Sequence, residues 1–381
     1  MNKIIGKIEE IVLRHVVMTL VEPFVTSFGR THERSCVIVE MKISDITGFG
    51  ECVAKSYPGY SYETTGTAWH ILSDFLVPSV IGKDFTDIET FVQNYSHVKG
   101  HPMAKASIEM AAWDIMGKVQ NKSLAELLGG VRKSVEVGVS VGIQPSTEAL
   151  VERVGRYIKD GYRRIKIKIK PGRDFSDLKA VRNAYPEILL QADANSAYRL
   201  SDLHIFTEID DLDLLLVEQP LSEDDIYEHS FLQKQIKSAV CLDESILSVA
   251  HAIAAIELGS CRIINIKAPR VGGLFEAVKI HDECYKRGIP VWSGGMLETN
   301  IGRASNLALA SLPGFILPSD ISASSRYYRE DIGEPNFVLN KDSTINVPDR
   351  PGLGIEINYK NLDRFTVKKE AFSMAGHNGN L

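Results

Sequence analysis

The chain has 381 residues, 44% of them hydrophobic and 24% charged, and a formal net charge of −6. Those numbers describe a globular protein with room for one large domain and a smaller one. The acidic balance argues against a nucleic-acid binder, which would usually carry a basic stripe.

Residues 1 to about 60 read as strands, with Ser35–Ile43 and Thr47–Cys52 forming a hairpin around Ser44 and Asp45. From about 62 to 128 the pattern turns helical. Ala104–Met116 reads as an amphipathic helix, and Leu127-Leu128-Gly129-Gly130 as a helix ending on glycine. Residues 1–130 are therefore expected to form an α+β unit.

A strand–helix alternation begins near Val135. Strands are expected at Val137–Val141 and Ile165–Ile169, then in three apolar runs that end at Asp193, Glu218 and Asp243. Further strands fall at Arg262–Ile266, Pro290–Trp292 and Phe315–Leu317. Helices fall at Thr147–Lys159, stopping at Gly161, and around Leu274–Lys286, stopping at Gly288. Eight such units close into a barrel more naturally than into an open sheet, so the expected fold class is α/β with a (β/α)8-type barrel over 131–325. The tail, 326–381, holds short strand-like pieces such as Gly354–Ile357 and no further period. It is expected to pack on the N-terminal unit or across the barrel.

Five scattered cysteines, at 36, 52, 241, 261 and 284, lack metal-type spacing and suit a reducing compartment. The charged N-terminus does not read as a signal peptide, and no run of 18 apolar residues suggests a membrane span. A cytoplasmic protein is expected.

Asp193, Glu218 and Asp243 stand 25 residues apart, and the same ruler reaches Lys168 on one side and, within one residue, Lys267 on the other. That distance is about one strand, one helix and two short loops. A constant phase puts all five groups on the same rung of consecutive βα units, at the strand ends where barrel active sites lie. Three carboxylates on neighbouring strands repel unless a cation neutralises them. Oxygen ligands without nearby histidine or cysteine select Mg²⁺, with Mn²⁺ as the substitute. The lysines fall on strands two and six of eight, opposite one another. Lys166 shares a strand face with Lys168, whereas Lys170, followed by Pro171, falls past the strand end.

This layout serves removal of a proton alpha to a carboxylate. A divalent ion stabilises the enediolate while an amine takes the proton. The second lysine can return a proton to the opposite face, giving racemisation, or stay cationic and support elimination of a beta leaving group.

Taken singly, each residue has a plainer reading. Asp193 and Asp243 could be helix N-caps and Glu218 a solvated loop acid. The lysine ladder could guard an edge strand, and Lys267 could be an ordinary loop lysine. Five independent loop residues have no reason to share one period, which favours the joint reading. A barrel that binds carboxylates without catalysis and a Schiff-base lyase using Lys168 are the competing classes.

The motifs Lys166-Ile167-Lys168, Asp193-Ala194-Asn195, Glu218-Gln219-Pro220, Leu242-Asp243-Glu244-Ser245 and Asn265-Ile266-Lys267, with Gly294-Gly295-Met296-Leu297-Glu298-Thr299, resemble the enolase superfamily. More closely, the chain resembles the o-succinylbenzoate synthase / N-succinylamino acid racemase family of the muconate-lactonising subgroup. Ala111-Ala112-Trp113-Asp114 and Leu127-Leu128-Gly129-Gly130 extend the likeness into the N-terminal unit.

The resemblance implies a (β/α)7β barrel under an α+β capping domain formed by the N-terminal part and the C-terminal tail. It implies Lys168 and Lys267 as the acid/base pair, Asp193, Glu218 and Asp243 as metal ligands, and Lys166 and Asn195 as supporting groups. Ser140, Gly295 and Met296 would lie at a small-molecule carboxylate substrate, under cap loops near Phe24–Arg30 and Cys52–Tyr57. A homo-oligomer is expected. Arg270 resembles the arginine of racemase-capable members, although Ala268-Pro269 departs from the commoner Pro-Gly.

The His-Asp pair of mandelate racemase is missing. Leu317-Pro318-Ser319-Asp320 departs from the Asp-x-Asp of dipeptide epimerases. Cycloisomerase or dipeptide epimerase activity is the alternative to the family's two reactions. One of those dehydrates 2-succinyl-6-hydroxy-2,4-cyclohexadiene-1-carboxylate for menaquinone synthesis, and the other racemises N-succinyl or other N-acyl amino acids.

Overall fold

The computed structural model describes residues 4–26 and 29–374. Strands β1 (Glu10–Thr26), β2 (Gly29–Ile43) and β3 (Ile46–Cys52) pair antiparallel in a meander. The expected loop at Phe24–Arg30 is instead the tip of the β1–β2 hairpin, with Phe24 opposite Thr31 and Thr26 opposite Gly29. Ser27 and Phe28 lie outside the described residues. Cys52 closes β3, so the second cap loop starts one residue later than expected.

Helix α1 (Pro102–Gln120) lies against this sheet. A Cβ at Gly48 or Gly50 would fall 2.2 Å from Ala111 O or 1.9 Å from Ser107 O, so only glycine admits the helix this closely. The expected amphipathic face is absent, because α1 is buried nearly all round from Met103 to Gly117. The sheet covers one side, and the short helix Ala268–Val271 packs on another. No broad face is left for water.

The barrel strands are β4 (Gly138–Val141), β5 (Arg164–Lys168), β6 (Leu189–Asp193), β7 (Leu216–Glu218), β8 (Val240–Leu242), β9 (Ile263–Ile266) and β10 (Val291–Ser293). They pair in chain order, all parallel. Helices α2 (Thr147–Lys159) and α3 (Leu274–Lys286) form where the apolar spacing places them.

The expected eighth strand, Phe315–Leu317, does not form. The ring closes instead through two isolated bridges, Phe315 to Val291 and Ser319 to Val137. Gly138 N donates to Ser319 O and Asp320 N to Ser293 O, each at 2.8 Å. Pro318 lies between the bridges and has no N–H to extend a ladder.

On β5, Ile165 and Ile167 join the apolar core under the helices, while Arg164, Lys166 and Lys168 reach acids inside the ring. A plug of Leu216, Cys241, Ile263 and Trp292 fills the interior, with Lys166 Nζ 4.8 Å from the Trp292 ring centre. The last described strand, β11 (Thr366–Ser373), pairs with β1 and becomes an edge of the N-terminal sheet. All five cysteines are buried and free. Among the described residues no helix is long and apolar enough to cross a membrane.

Candidate active site

Asp193 and Glu218 end β6 and β7 and are register partners; Asp243 stands one residue past β8. Lys168 ends β5, and Lys267 stands one residue past β9. The 25-residue phase therefore does bring the five side chains to one end of the ring. All three acids are buried, at 1% exposure or less.

Each acid meets a cation. Lys168 Nζ donates to Asp193 Oδ2 and Asn195 Oδ1, both at 2.6 Å. Lys267 Nζ donates to Asp243 Oδ2 at 2.6 Å, and the Arg270 guanidinium pairs with the other oxygen. Lys166 Nζ bridges Glu218 Oε2 at 2.8 Å and Asp193 Oδ2 at 3.1 Å. Asn265 Nδ2 donates to Glu218 Oε1 at 2.7 Å.

The plainer readings fail at these positions. Ser248, not Asp243, caps the helix Val249–Leu258, and Asp193 accepts the N–H of Asn195 rather than starting a helix. Glu218 is fully buried, and β5 is paired on both sides. Lys267 is 5% exposed. Arg270, at 2%, is no surface group: it also donates to Ile246 O and Asn265 O at 2.8 and 2.6 Å. Lys170 is exposed beyond the strand end.

Burial opposes ionisation of Asp193 and Asp243, yet Lys168 and Lys166, and Lys267 and Arg270, hold them below the usual carboxylate range. Glu218 goes the other way: burial, and then the charge of Asp193, push it well above that range. Burial and Asp243 likewise raise Glu244 to about 8. Burial also opposes the charge of Lys166 and Lys267, but facing acids, led by Asp320 and Asp243 respectively, keep both ammonium groups charged.

Three adjacent carboxylates with no histidine or cysteine form the donor set of a hard divalent ion. Asp193 and Glu218 are register partners at neighbouring strand ends, with Asp243 one residue past the next strand, so the donor chemistry of these buried acids fits such an ion. Among the described residues they do not converge as a ready-made cluster, since each turns to an ammonium or guanidinium group.

A cavity of about 50 Å³ lies between the lysines. Ser140, Gly295 and Met296 line it, with Lys166, Lys168, Asn195 and Lys267. Phe24, Thr26 and Lys55 reach it from the cap. Ser140 Oγ donates to Asp320 Oδ2 at 3.0 Å. A Cβ at Gly295 would fall 2.4 Å from Asp320 O, and one at Gly294 2.4 Å from Lys267 Cε. Asn195, Ser196, Gln219 and Leu297 all have left-handed backbone, so strain collects around the site.

Two residues escape the sequence period. Tyr60 OH donates to Asp243 Oδ1 and accepts from Lys267 Nζ, both at 3.0 Å. Asp320 pairs with Lys166 Nζ and Arg164 Nη1, each at 2.6 Å. The signal for Asp320 is its position at the eighth rung. Tyr60 has no signal, because its loop follows no period.

An α+β cap over a parallel barrel, with buried acids and amines on the strand ends, defines an enzyme of the enolase superfamily. The chain belongs to the mandelate racemase / muconate lactonizing enzyme family: residues 8–129 match the model of its N-terminal domain, and residues 149–361 match the enolase C-terminal domain-like model. Membership implies a divalent metal and a small-molecule substrate.

The chain is 49% identical to an o-succinylbenzoate synthase of Bacillus subtilis (strain 168), over 97% of this chain and 100% of that one. It is 45% identical to an N-succinylamino acid racemase of Amycolatopsis sp, over 95% of this chain and 98% of that one. A crystal structure of an enolase superfamily member from Listeria innocua Clip11262 superposes with a TM-score of 0.92 at 40% identity, covering 96% of this chain and 99% of that one.

Proposed function

We propose that this chain is a Mg²⁺-dependent enolising enzyme that removes the proton alpha to a substrate carboxylate. In that role it is an o-succinylbenzoate synthase, an N-succinylamino acid racemase, or both. One observation carries the reading: amines from strands on opposite sides of the ring, Lys168 and Lys267, reach one cavity beside three buried acids.

Asp193, Glu218 and Asp243 would hold the ion, with Mn²⁺ as its substitute. When bound, it supplies Lewis-acid stabilisation of charge developing on the substrate carboxylate. The chain's own residues handle the proton. A substrate seated between the amines presents one face of its alpha carbon to Lys168 and the other to Lys267. Lys168 takes the proton, with Asn195 and Asp193 orienting its Nζ. Lys267 either delivers a proton to the opposite face, which racemises, or remains cationic between Asp243 and Tyr60 while the beta hydroxyl leaves as water, carrying the proton that Lys168 has taken. Tyr60 and Arg270 both hold Oδ1 of Asp243, leaving Oδ2 to Lys267.

The test is a side-by-side assay of purified protein for dehydration of 2-succinyl-6-hydroxy-2,4-cyclohexadiene-1-carboxylate and for racemisation of N-succinyl amino acids. At least one activity is expected with Mg²⁺, lost in EDTA and restored by the ion. Neither activity in the metal-loaded protein overturns the function, and full activity in EDTA overturns the metal.

A further inference from the structure

Gln219 links the chain segments that carry all three acids. It is fully buried, and its φ of 36° lies in the left-handed region that residues other than glycine seldom adopt. Each of its polar atoms is in use. Oε1 accepts Asp243 N at 2.9 Å and Ser245 N at 3.3 Å. Nε2 donates to Ser245 Oγ at 2.6 Å and to Ser222 O at 2.9 Å. The backbone N–H donates to Cys241 O at 2.8 Å, and the C=O accepts Ser196 N at 2.9 Å. One residue thus ties the turn that follows Asp193 to its own turn after Glu218 and to the segment Asp243–Ser245 beyond β8. Amide and hydroxyl groups make all of these bonds, so none of them engages a carboxylate oxygen of the three acids. Backbone strain of this kind persists only where the surroundings over-determine it, and it collects where a geometry must be held.

We propose that Gln219 is a positioning residue, which fixes the spacing of Asp193, Glu218 and Asp243 independently of any bound ion. This rests on the reading of those acids as ligands of a divalent ion and adds to it what sets their separation. Groups that orient metal ligands without touching the metal govern its affinity, because a set already held in place binds without first ordering three segments of chain.

The test pairs calorimetric titration of the purified protein with Mg²⁺ and hydrogen exchange, read by mass spectrometry, of segments 193–197, 218–222 and 242–246 in EDTA and in Mg²⁺. Gln219→Met keeps the length of the side chain and makes none of its hydrogen bonds. The variant should bind Mg²⁺ about 10–100-fold more weakly. Its three segments should exchange faster than those of wild type in EDTA and recover protection in Mg²⁺, whereas the wild-type segments are protected in both. A glutamine that only supports the fold would lower stability and leave the ion affinity of the folded protein untouched. A folded variant with the wild-type Kd, or with weaker binding and unchanged exchange, therefore overturns the assignment and leaves the metal reading intact. If Gln219→Met does not fold, the wild type decides: segments protected in EDTA support the proposal, and segments that gain protection only with Mg²⁺ overturn it. A wild type that binds no Mg²⁺ overturns the metal reading and this inference together.

Discussion

Asp320 Oδ2 lies 2.6 Å from Lys166 Nζ, so an acid from the unformed eighth strand neutralises a lysine inside the ring. Its other oxygen is 2.6 Å from Arg164, which is fully buried. Burial opposes ionisation of Asp320, but Arg164 and Lys166 hold it well below the usual range. Its contribution is thus present above the unfolded aspartate pKa and lost as pH falls through the lower folded one. Asp320→Asn strands two buried cations with one charge fewer. Denaturant unfolding at neutral pH should show a loss of about 3–5 kcal/mol. An unchanged midpoint and slope would show that the pair contributes nothing.

The two lysines should be separable by isotope exchange. With Lys168→Ala, turnover should fall by roughly 10²–10⁴-fold, the usual contribution of a positioned acid or base. Lys267 remains, so the enantiomer whose alpha proton faces it should still exchange that proton with deuterated solvent. Lys267→Ala should reverse the preference. Proton NMR in D₂O reads both, and exchange of either enantiomer at the wild-type rate in both variants would exclude the two-face arrangement.

What the chain showed before folding divides along physical lines. The strand-end places of Asp193, Glu218 and Asp243 were legible because each closes an apolar run, and those of Lys168 and Lys267 because they share the same spacing along the chain. Asp320 stands at the eighth rung, but Pro318 and Ser319 separate it from the apolar run Phe315–Leu317 in a segment that makes bridges rather than a strand, so the rung was legible and the ion pairs of Asp320 were not. Tyr60 lies outside every strand and helix and meets Asp243, 183 residues away, through tertiary contact alone. Helix α1 was legible as a helix, but its burial was not, because the residues covering its second side come from 268–271.

Gly294 tests how finely Lys267 is held. Its φ is not left-handed, so alanine is barred by space alone: the new Cβ would meet Lys267 Cε at 2.4 Å and Asn265 Oδ1 at 2.4 Å. Gly294→Ala should push the amine aside by a fraction of an ångström while the barrel survives. A displacement of about 1 Å can cost about 10²-fold in rate. The expected result is a kcat lower by about 10–10²-fold with a smaller change in KM. Wild-type kcat would mean that Lys267 relaxes without losing its place.

Glu63 governs a pH effect far from the ring's centre. Helix α1 starts after His101, whose φ is 54° and whose side chain makes no capping bond. Glu63 supplies the cap from the loop, accepting Met103 N at 2.8 Å and Ala104 N at 3.1 Å. Those bonds and Lys105 favour the carboxylate, but burial outweighs them and raises Glu63 from 4.5 to about 7. A folded pKa above the unfolded one means the folded state binds the proton more tightly. The contribution to stability is then full below pH 4.5 and is lost as pH rises through 7. Glu63→Gln keeps an acceptor oxygen for the helix and has no proton to lose. Urea unfolding of both proteins between pH 5 and 8 should show the variant gaining on wild type with rising pH, on the order of 1 kcal/mol per pH unit, and levelling off above the folded pKa. A constant difference across that range would mean that the two helix N–H bonds, not burial, set the charge of Glu63.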